Sequence, residues 1–293
     1  MIQFILKHKP VLVHELIHFL ALKPNQNLID ATVGLAGHAK KILPLISPKG
    51  KILGIDRDHL VIDYLKKQKI PRLYLHHGNF KNLRKIAQES GFSKVDSIYF
   101  DLGLGSWQIE NEYYGLSFQK DMPLKMKFGV GDSAVSDNFT AETVVNRFNQ
   151  KALAEIFSQY GDVARPYQVA ARIIDFRKKQ RIKTTFQLKE AIGIKNPKHL
   201  AKVFQALRIY LNQELVNLHS ALMQAKEMVQ QEGRIAVISY HSGEDRIVKE
   251  IFRNGAKEGT LQLLTKKPLT ASKEEIENNP KARSAKLRVA KKI

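Results

Sequence analysis

The sequence predicts an α/β fold, a mostly parallel Rossmann-like sheet interrupted by an all-helical insertion. Three patterns carry that expectation. Leu28 to Asp58 divides into an apolar run ending on Asp30, a glycine turn over Val33–Gly37, a helical segment, and a second apolar run, Lys51–Ile55, closed by Asp56. Two further strand-like runs, Arg72–His76 and Lys94–Asp101, each stop at polar residues. From Gln108 to about Leu211 little reads as strand, and Arg234–Tyr240 then restores the strand pattern. The expected domains are therefore 1–108 and 212–293 as two parts of one α/β domain, with 109–211 as the helical insertion.

Each element has a local reason. Val11–Leu22 carries Leu12, Leu16, Phe19 and Leu20 at helical spacing and stops before Pro24. Leu60–Leu65 continues as a helix with a basic end at Lys66, Lys67 and Lys69. Within the insertion, helices are expected over Thr140–Phe148, Lys151–Tyr160, Tyr167–Lys179 and Thr184–Ile192, the last opened by a capping box of Thr184 and Gln187. Apolar residues recur every three or four positions from His199 to Gln231, which gives one long helix or two nearly collinear ones stopped by Gly233. After the fifth strand, Ser242 is the expected N-cap of a helix over Arg246–Phe252, with Asp245 three residues on. Thr260–Thr265 and Ala285–Ala290 read as a closing pair of strands around a segment with its own capping box, Ser272 and Glu275.

With 293 residues, 43% of them hydrophobic, the chain can bury a substantial core. Its 48 Lys and Arg against 28 Asp and Glu leave a net charge of +20, which points to a polyanionic partner. Basic residues gather at Arg172, Arg177, Lys178, Lys179, Arg181 and Lys183, and again at Lys281, Arg283, Lys286, Arg288, Lys291 and Lys292. With that overall charge, a phosphate-binding surface is the better reading than solvated helix faces. No apolar run approaches the roughly 18 residues of a membrane span, and MIQFILKHKP is too short and too soon interrupted for a secretory signal. The expected location is cytoplasmic, with no membrane partner. The absence of cysteine excludes disulfides, thiolate zinc sites and cysteine nucleophiles together. Histidines lack a metal-ligand spacing such as HExxH, and no metal is expected.

The glycine turn suits a nucleoside-bearing ligand lying across the strand ends. Gly34 and Gly37 let the backbone turn sharply and approach closely, the following helix offers free N–H groups, and Asp56 stands where such units hold a ribose. A turn serving only packing is the alternative. The pattern lacks the third glycine of GxGxxG and the Lys-Ser/Thr of a P-loop, so a ribose without phosphates, as in S-adenosylmethionine, fits better. Phe80, after the third strand, either lies against an adenine face with Asn79 bonding its edge or belongs to the core. Asp101 ends the fourth strand, so Asp56, Phe80 and Asp101 are expected to converge on one crevice. His241 is either an acid or base or a backbone partner.

These residues also carry a resemblance. His8-x-x-Val11-Leu12-x-x-Glu15, Asp30-Ala-Thr-x-Gly34-x-x-Gly37-His38, Gly54-Ile-Asp56-Arg-Asp58, Asp101-Leu-Gly103 with Gln108, Gly115-x-Ser117-Phe118, Phe204-Gln-Ala-x-Arg208-Ile-x-x-Asn212-x-Glu214, Ile238-Ser-x-His241-Ser-x-Glu244 and Asn279-Pro-x-Ala-Arg283-Ser run in order along nearly the whole chain. The chain resembles the RsmH/MraW family, cytosine-N4 methyltransferases of small-subunit ribosomal RNA. The resemblance implies a class I S-adenosylmethionine-dependent methyltransferase fold with a helical substrate domain, and a cytidine at the decoding region as acceptor. It carries cofactor contacts onto Ala36, Gly37, His38, Asp56, Phe80, Asp101 and Gln108. The expected proton acceptor is Asp101 or the carbonyls of Leu102–Ser106, with His241 second, and Trp107 or Tyr240 would stack on the flipped base. The implied partner is ribosomal RNA or the small ribosomal subunit, and a homodimer is compatible with the sequence. Ala36, the run Leu104-Gly105-Ser106-Trp107 and Lys125 depart from the family's usual glycine, Val-Ser-Ser-Pro and aspartate. Two other classes use parts of the same pattern: a non-catalytic basic RNA-binding protein, and a nicotinamide oxidoreductase, against which the short glycine turn speaks.

Overall fold

The computed structural model describes residues 9–128 and 139–293, and for Ser106 and Trp107 the backbone only. His8 of the first resemblance motif and the Trp107 side chain therefore lie outside the described residues. The chain divides into two compact units, Leu104–Glu214, and Ile2–Gly103 combined with Leu215–Ile293.

The first part of the sheet unit runs α1 (Val13–Leu20), β1 (Asn27–Asp30), α2 (Gly37–Ile42), β2 (Lys51–Asp56), α3 (His59–Gln68), β3 (Leu73–His77), α4 (Leu83–Glu89) and β4 (Val95–Asp101). The helical unit follows with α5 (Ser106–Glu110), α6 (Ala141–Arg147), α7 (Gln150–Gly161), α8 (Pro166–Lys179), α9 (Thr185–Ile192) and α10 (Pro197–Asn212). The sheet unit then resumes with α11 (Glu214–Met228), β5 (Val229–Ser239), α12 (Ser242–Lys257), β6 (Leu261–Leu263), α13 (Lys273–Asn278) and β7 (Lys286–Lys292).

The sheet order is β3-β2-β1-β4-β5-β7-β6, with the first five strands parallel and β7 antiparallel to both neighbours. Strands β1 to β3 step outward in one direction and β4 returns to the other side of β1. The order thus reverses between β1 and β4, where open α/β sheets bind ligands beyond their carboxyl ends. Continuous apolar runs in β1, β2, β4 and β5 are what a sheet covered on both faces requires. Ile29, Leu53, Ile55, Ile98, Phe100 and Val237 are buried with Leu218, Leu222, Ile251 and Phe252 from α11 and α12. Each such side chain contributes about 1.5–3 kcal/mol. The helical unit has a separate core, including Leu153, Phe157, Ile173, Leu188, Val203 and Leu207.

One alternative is selected and three expectations need correction. Of the two readings of His199–Gln231, two helices are present, because Gln213 caps α10 in a left-handed conformation, φ 52°. The second helix ends at Met228 rather than near Gly233, since Val229 already pairs with Val95 at the start of β5. The N-cap of α12 is His241 with Glu244, not Ser242 with Asp245; Asp245 instead takes a two-point bond from Arg288, at 2.6 and 3.1 Å. Ser272 does cap Glu275 N, but the Glu275 carboxylate accepts from Leu12 N, so the second half of that box is missing. The Thr184–Gln187 capping box is present.

The positive charge is spread over both units. The stretch Leu104–Glu214 holds 17 Lys and Arg against 11 Asp and Glu, while the rest holds 31 against 17, so the sheet unit is the more basic. Arg172 donates to the Ile192 carbonyl and Arg177 to the Val145 and Phe148 carbonyls, closing the ends of α9 and α6. Arg181 pairs with Glu142, and Lys178 with Asp175. This cluster is largely intramolecular support. Lys125 has its ammonium 4.2 Å from the Tyr113 ring centroid, a cation–π partner where the family's usual residue is an acid. No described helix is long and apolar enough to cross a membrane.

Candidate active site

The carboxyl edge of the sheet unit is built around the turn after β1. Ala31 N donates to Tyr99 O and Val33 N to Ile55 O, so the chain leaves β1 tied to both neighbouring strands. Gly34 has φ +47°, a left-handed conformation that glycine adopts without a steric cost, and its N–H reaches Asp56 Oδ2 at 2.9 Å. Ala36 is left-handed as well, φ 61°, and fully buried at the start of α2. The alanine that replaces the usual glycine thus retains a glycine-like backbone at a cost of about 1–2 kcal/mol. Gly37 and His38 open α2.

Asp56 ends β2 half-buried. Its Oδ1 accepts from Asp58 N at 2.9 Å and its Oδ2 from Gly34 N. A carboxylate has about four lone-pair sites, so each oxygen retains capacity for a further donor. Burial pushes its pKa up to about 6, against the two backbone bonds that lower it. Phe80, past β3, packs edge-on against Phe100 at 5.9 Å between centroids and remains half-buried. Both alternatives for it therefore hold in part: one edge belongs to the core. Asn79 is buried and its Oδ1 accepts from Lys81 N, which makes it a cap for the next turn.

Asp101 ends β4. Its N–H donates to Thr32 Oγ1 at 2.7 Å, its Oδ1 accepts from Tyr240 O–H at 2.7 Å, and its Oδ2 lies 3.6 Å from His38 Nδ1. His38 is buried, with Nε2 2.9 Å from Val11 O; a carbonyl only accepts, so Nε2 carries the proton. Burial and the adjacent Asp101 charge raise the Tyr240 pKa far above the usual phenol range and keep its proton on the bond to Asp101. Tyr240 is thus tied to a carboxylate, an occupation that sequence reasoning, which offered it as a stacking ring, did not foresee.

Sequence reasoning also missed Asp30 as a titrating group. It is 1% exposed, accepts from Tyr99 O–H at 2.9 Å and Thr32 N at 3.2 Å, and burial raises its pKa to about 7. The folded-state pKa lies above the unfolded value of 3.8, so only the folded state holds the proton between about pH 4 and 7. Stability contributed by that proton is present at low pH and is lost as pH rises through 7. Unfolding free energy should fall across this window by up to about 4 kcal/mol, and Asp30→Asn should flatten that slope in denaturant titrations at pH 4.5 to 7.5.

His241 is the N-cap of α12: Nδ1 accepts from Glu244 N at 3.3 Å, and Nε2 lies 3.2 Å from Glu244 Oε1. Glu244 Oε2 accepts in return from Tyr240 N at 2.8 Å. Gln108 lies on α5 of the helical unit, where its Oε1 accepts from Gly105 N at 3.0 Å.

A parallel sheet with its switch point between β1 and β4, a glycine turn after β1 and acids closing β2 and β4 define a class I methyltransferase. The sequence matches the MraW methylase family over residues 5–293, and the chain belongs to that family. It is 38% identical to "Ribosomal RNA small subunit methyltransferase H" of Halothermothrix orenii, covering 98% of this chain and 99% of the relative. It is 40% identical to the protein of the same description from Thermomicrobium roseum, covering 98% and 94%. Among solved structures, an rRNA methylase from Streptococcus thermophilus aligns over 97% of this chain and 98% of its own, at 11% identity and a TM-score of 0.46. As a methylase of this fold, the chain takes S-adenosylmethionine as methyl donor. The residues fit an adenosyl group: Asp56 has acceptor capacity beside the Gly34 turn, and Phe80 presents a partly exposed ring past the next strand.

Proposed function

We propose that this protein methylates the exocyclic N4 amine of a cytidine in small-subunit ribosomal RNA near the decoding centre, in the cytoplasm. The carrying observation is that Asp56, Phe80 and Asp101 come from the ends of three parallel strands around one glycine turn at the sheet's switch point. The family membership and the relatives' descriptions support the substrate class.

When bound, the donor supplies a methyl group already activated by a sulfonium, so the protein's task is alignment and proton handling. Asp56 would hold the ribose hydroxyls, and the Ala36-Gly37-His38 turn and Phe80 would hold the rest of the adenosyl group. Cytosine N4 is a poor nucleophile because its lone pair is delocalised into the ring. Asp101 accepts hydrogen from that amine, localising the lone pair toward the methyl group and taking the proton. Tyr240 is a positioning residue that fixes the Asp101 carboxylate through Oδ1. His241 serves the start of α12 in this reading. His241→Asn, which keeps a capping side chain, should leave the methylation rate within a few-fold of wild type.

The test is transfer of labelled methyl from S-adenosylmethionine to small subunits and to naked RNA lacking the modification, with nucleoside mass analysis. The expected product is N4-methylcytidine. Donor binding with no transfer would instead favour a non-catalytic RNA-binding protein, and a methyl group on another atom would overturn the amine assignment.

A further inference from the structure

Two of the resemblance motifs have no role in the site above, Gly115-x-Ser117-Phe118 and Phe204-Gln205-Ala-x-Arg208, and both lie in the helical unit. They meet. Gly115 has φ +60°, and a Cβ there would fall 2.0 Å from Pro123 O, so the chain turns at this point only with glycine. Ser117 Oγ then accepts from Gln119 N at 3.1 Å, which closes a small turn with Phe118 at its centre. The Phe118 ring packs edge-to-face on Phe204 of α10, at 5.4 Å and 69°. Between these segments lies a cavity of about 310 Å³, lined among others by Ser117, Phe118, Gln119, Phe204, Gln205 and Arg208.

The chemistry of the lining narrows the occupant. Among the described lining residues Arg208 is the one charged side chain, and Glu214 holds that guanidinium through two bonds of 2.9 Å from Nε and Nη2. A neutralised fork is a poor phosphate receptor, so a charged ligand is disfavoured. The other described lining residues are a pair of aromatic rings, a hydroxyl, two carboxamides and the aliphatic Leu104, Ile109, Leu116 and Ala201, each carboxamide offering an acceptor beside donors. That combination matches a flat, neutral heterocycle with hydrogen-bonding edges, which is how unstacked bases of RNA are held. The volume sits at the small end of the roughly 300–1,000 Å³ range of ligand sites, with room for one base inside it.

We infer that this cavity holds a single unstacked nucleobase of the substrate RNA, with Phe118 and Phe204 against its ring and Gln119 and Gln205 on its edges. The inference rests on the methyltransferase reading for the identity of the RNA, but not for the chemistry of the pocket. It makes Phe118 and Gln205 substrate-binding residues of the helical unit.

Ligand-detected NMR saturation transfer on the full chain, with cytidine and with ribose 5-phosphate at millimolar concentration, tests the pocket directly. Cytidine ring protons should saturate more strongly than its ribose protons, ribose 5-phosphate should give little signal, and Phe118→Ala or Gln205→Ala should cut the ring signal several-fold, any remainder coming from the acceptor site at Asp101. In methylation assays the same substitutions should raise KM for RNA about tenfold or more, as loss of a base–aromatic contact does. Affinity for S-adenosylmethionine by calorimetry should stay unchanged. Gln205 is only half-buried, so that variant keeps the test open if Phe118→Ala fails to fold. Equal or stronger saturation by ribose 5-phosphate, no saturation at all, or a parallel loss of donor affinity in both variants would each overturn the inference. A wild type that binds cytidine but transfers no methyl group would sink the functional reading and leave the pocket standing. Variants that match an active wild type in KM would do the reverse.

Discussion

Replacing Asp101 by alanine lowers the methyl-transfer rate by roughly 10²–10⁴-fold at saturating donor and RNA, the usual worth of a positioned proton acceptor. Asp101 is held by Thr32 Oγ1 on its backbone N–H and by Tyr240 O–H on its carboxylate Oδ1, with His38 Nδ1 3.6 Å from Oδ2. The first survives truncation of the side chain, so the end of β4 keeps its path and the loss falls on chemistry. Tyr240→Phe removes one hydrogen bond to a charged group, about 1.5–3 kcal/mol. Its rate should therefore fall by roughly tenfold to 150-fold, between wild type and the alanine variant. Single-turnover rates together with calorimetric donor affinity check both. Near-wild-type turnover in Asp101→Ala with intact donor binding would remove Asp101 as the acceptor and shift attention to the Leu102–Ser106 carbonyls.

The sheet was legible because its strands are covered on both faces. Leu28, Ile29, Ile52, Leu53 and Ile98 form short apolar runs that only a buried parallel strand or a buried helix accommodates, and the acids at their ends separate the two. The insertion's helices were legible from caps and period alike. What escaped were features set by backbone conformation or by long-range partners. Gln213 carries no signal of the left-handed turn that splits the long apolar period. Val229 continues a helical spacing yet pairs with Val95, because a strand partner 134 positions upstream outweighs local propensity.

Side-chain occupations were the least legible part of the site. Asp101 and Tyr240 are 139 residues apart in the chain, so nothing local announces that the phenol bonds the carboxylate. The basic run from Arg172 to Lys183 looked like a phosphate surface, yet Arg172 and Arg177 close helix ends, a role that depends on where α6 and α9 stop. His241 makes the backbone contact together with Glu244 three residues on, a pairing that depends on where α12 starts.

Asp56→Ala should weaken S-adenosylmethionine binding by about 10²-fold or more, the loss of two hydrogen bonds to a carboxylate at roughly 1.5–3 kcal/mol each. Asp56→Asn keeps one acceptor for Gly34 N or Asp58 N, loses the charge and sets its amide N–H against the other backbone N–H; it should show an intermediate affinity with a lowered Tm, and binding measured well below that Tm separates affinity from folding. The pH dependence follows from the same group. With its pKa raised to about 6, the wild-type carboxylate is largely ionised above that value and protonated below it. The ionised form offers the most acceptor sites to the ribose, so donor affinity should be flat above pH 7. Below about pH 6 it should fall, by at most tenfold per unit for one proton. Calorimetric titrations from pH 5 to 8 would give that profile for wild type and a flatter one for Asp56→Asn. An identical slope in both proteins would mean that another group, and not the acid at the end of β2, controls the affinity.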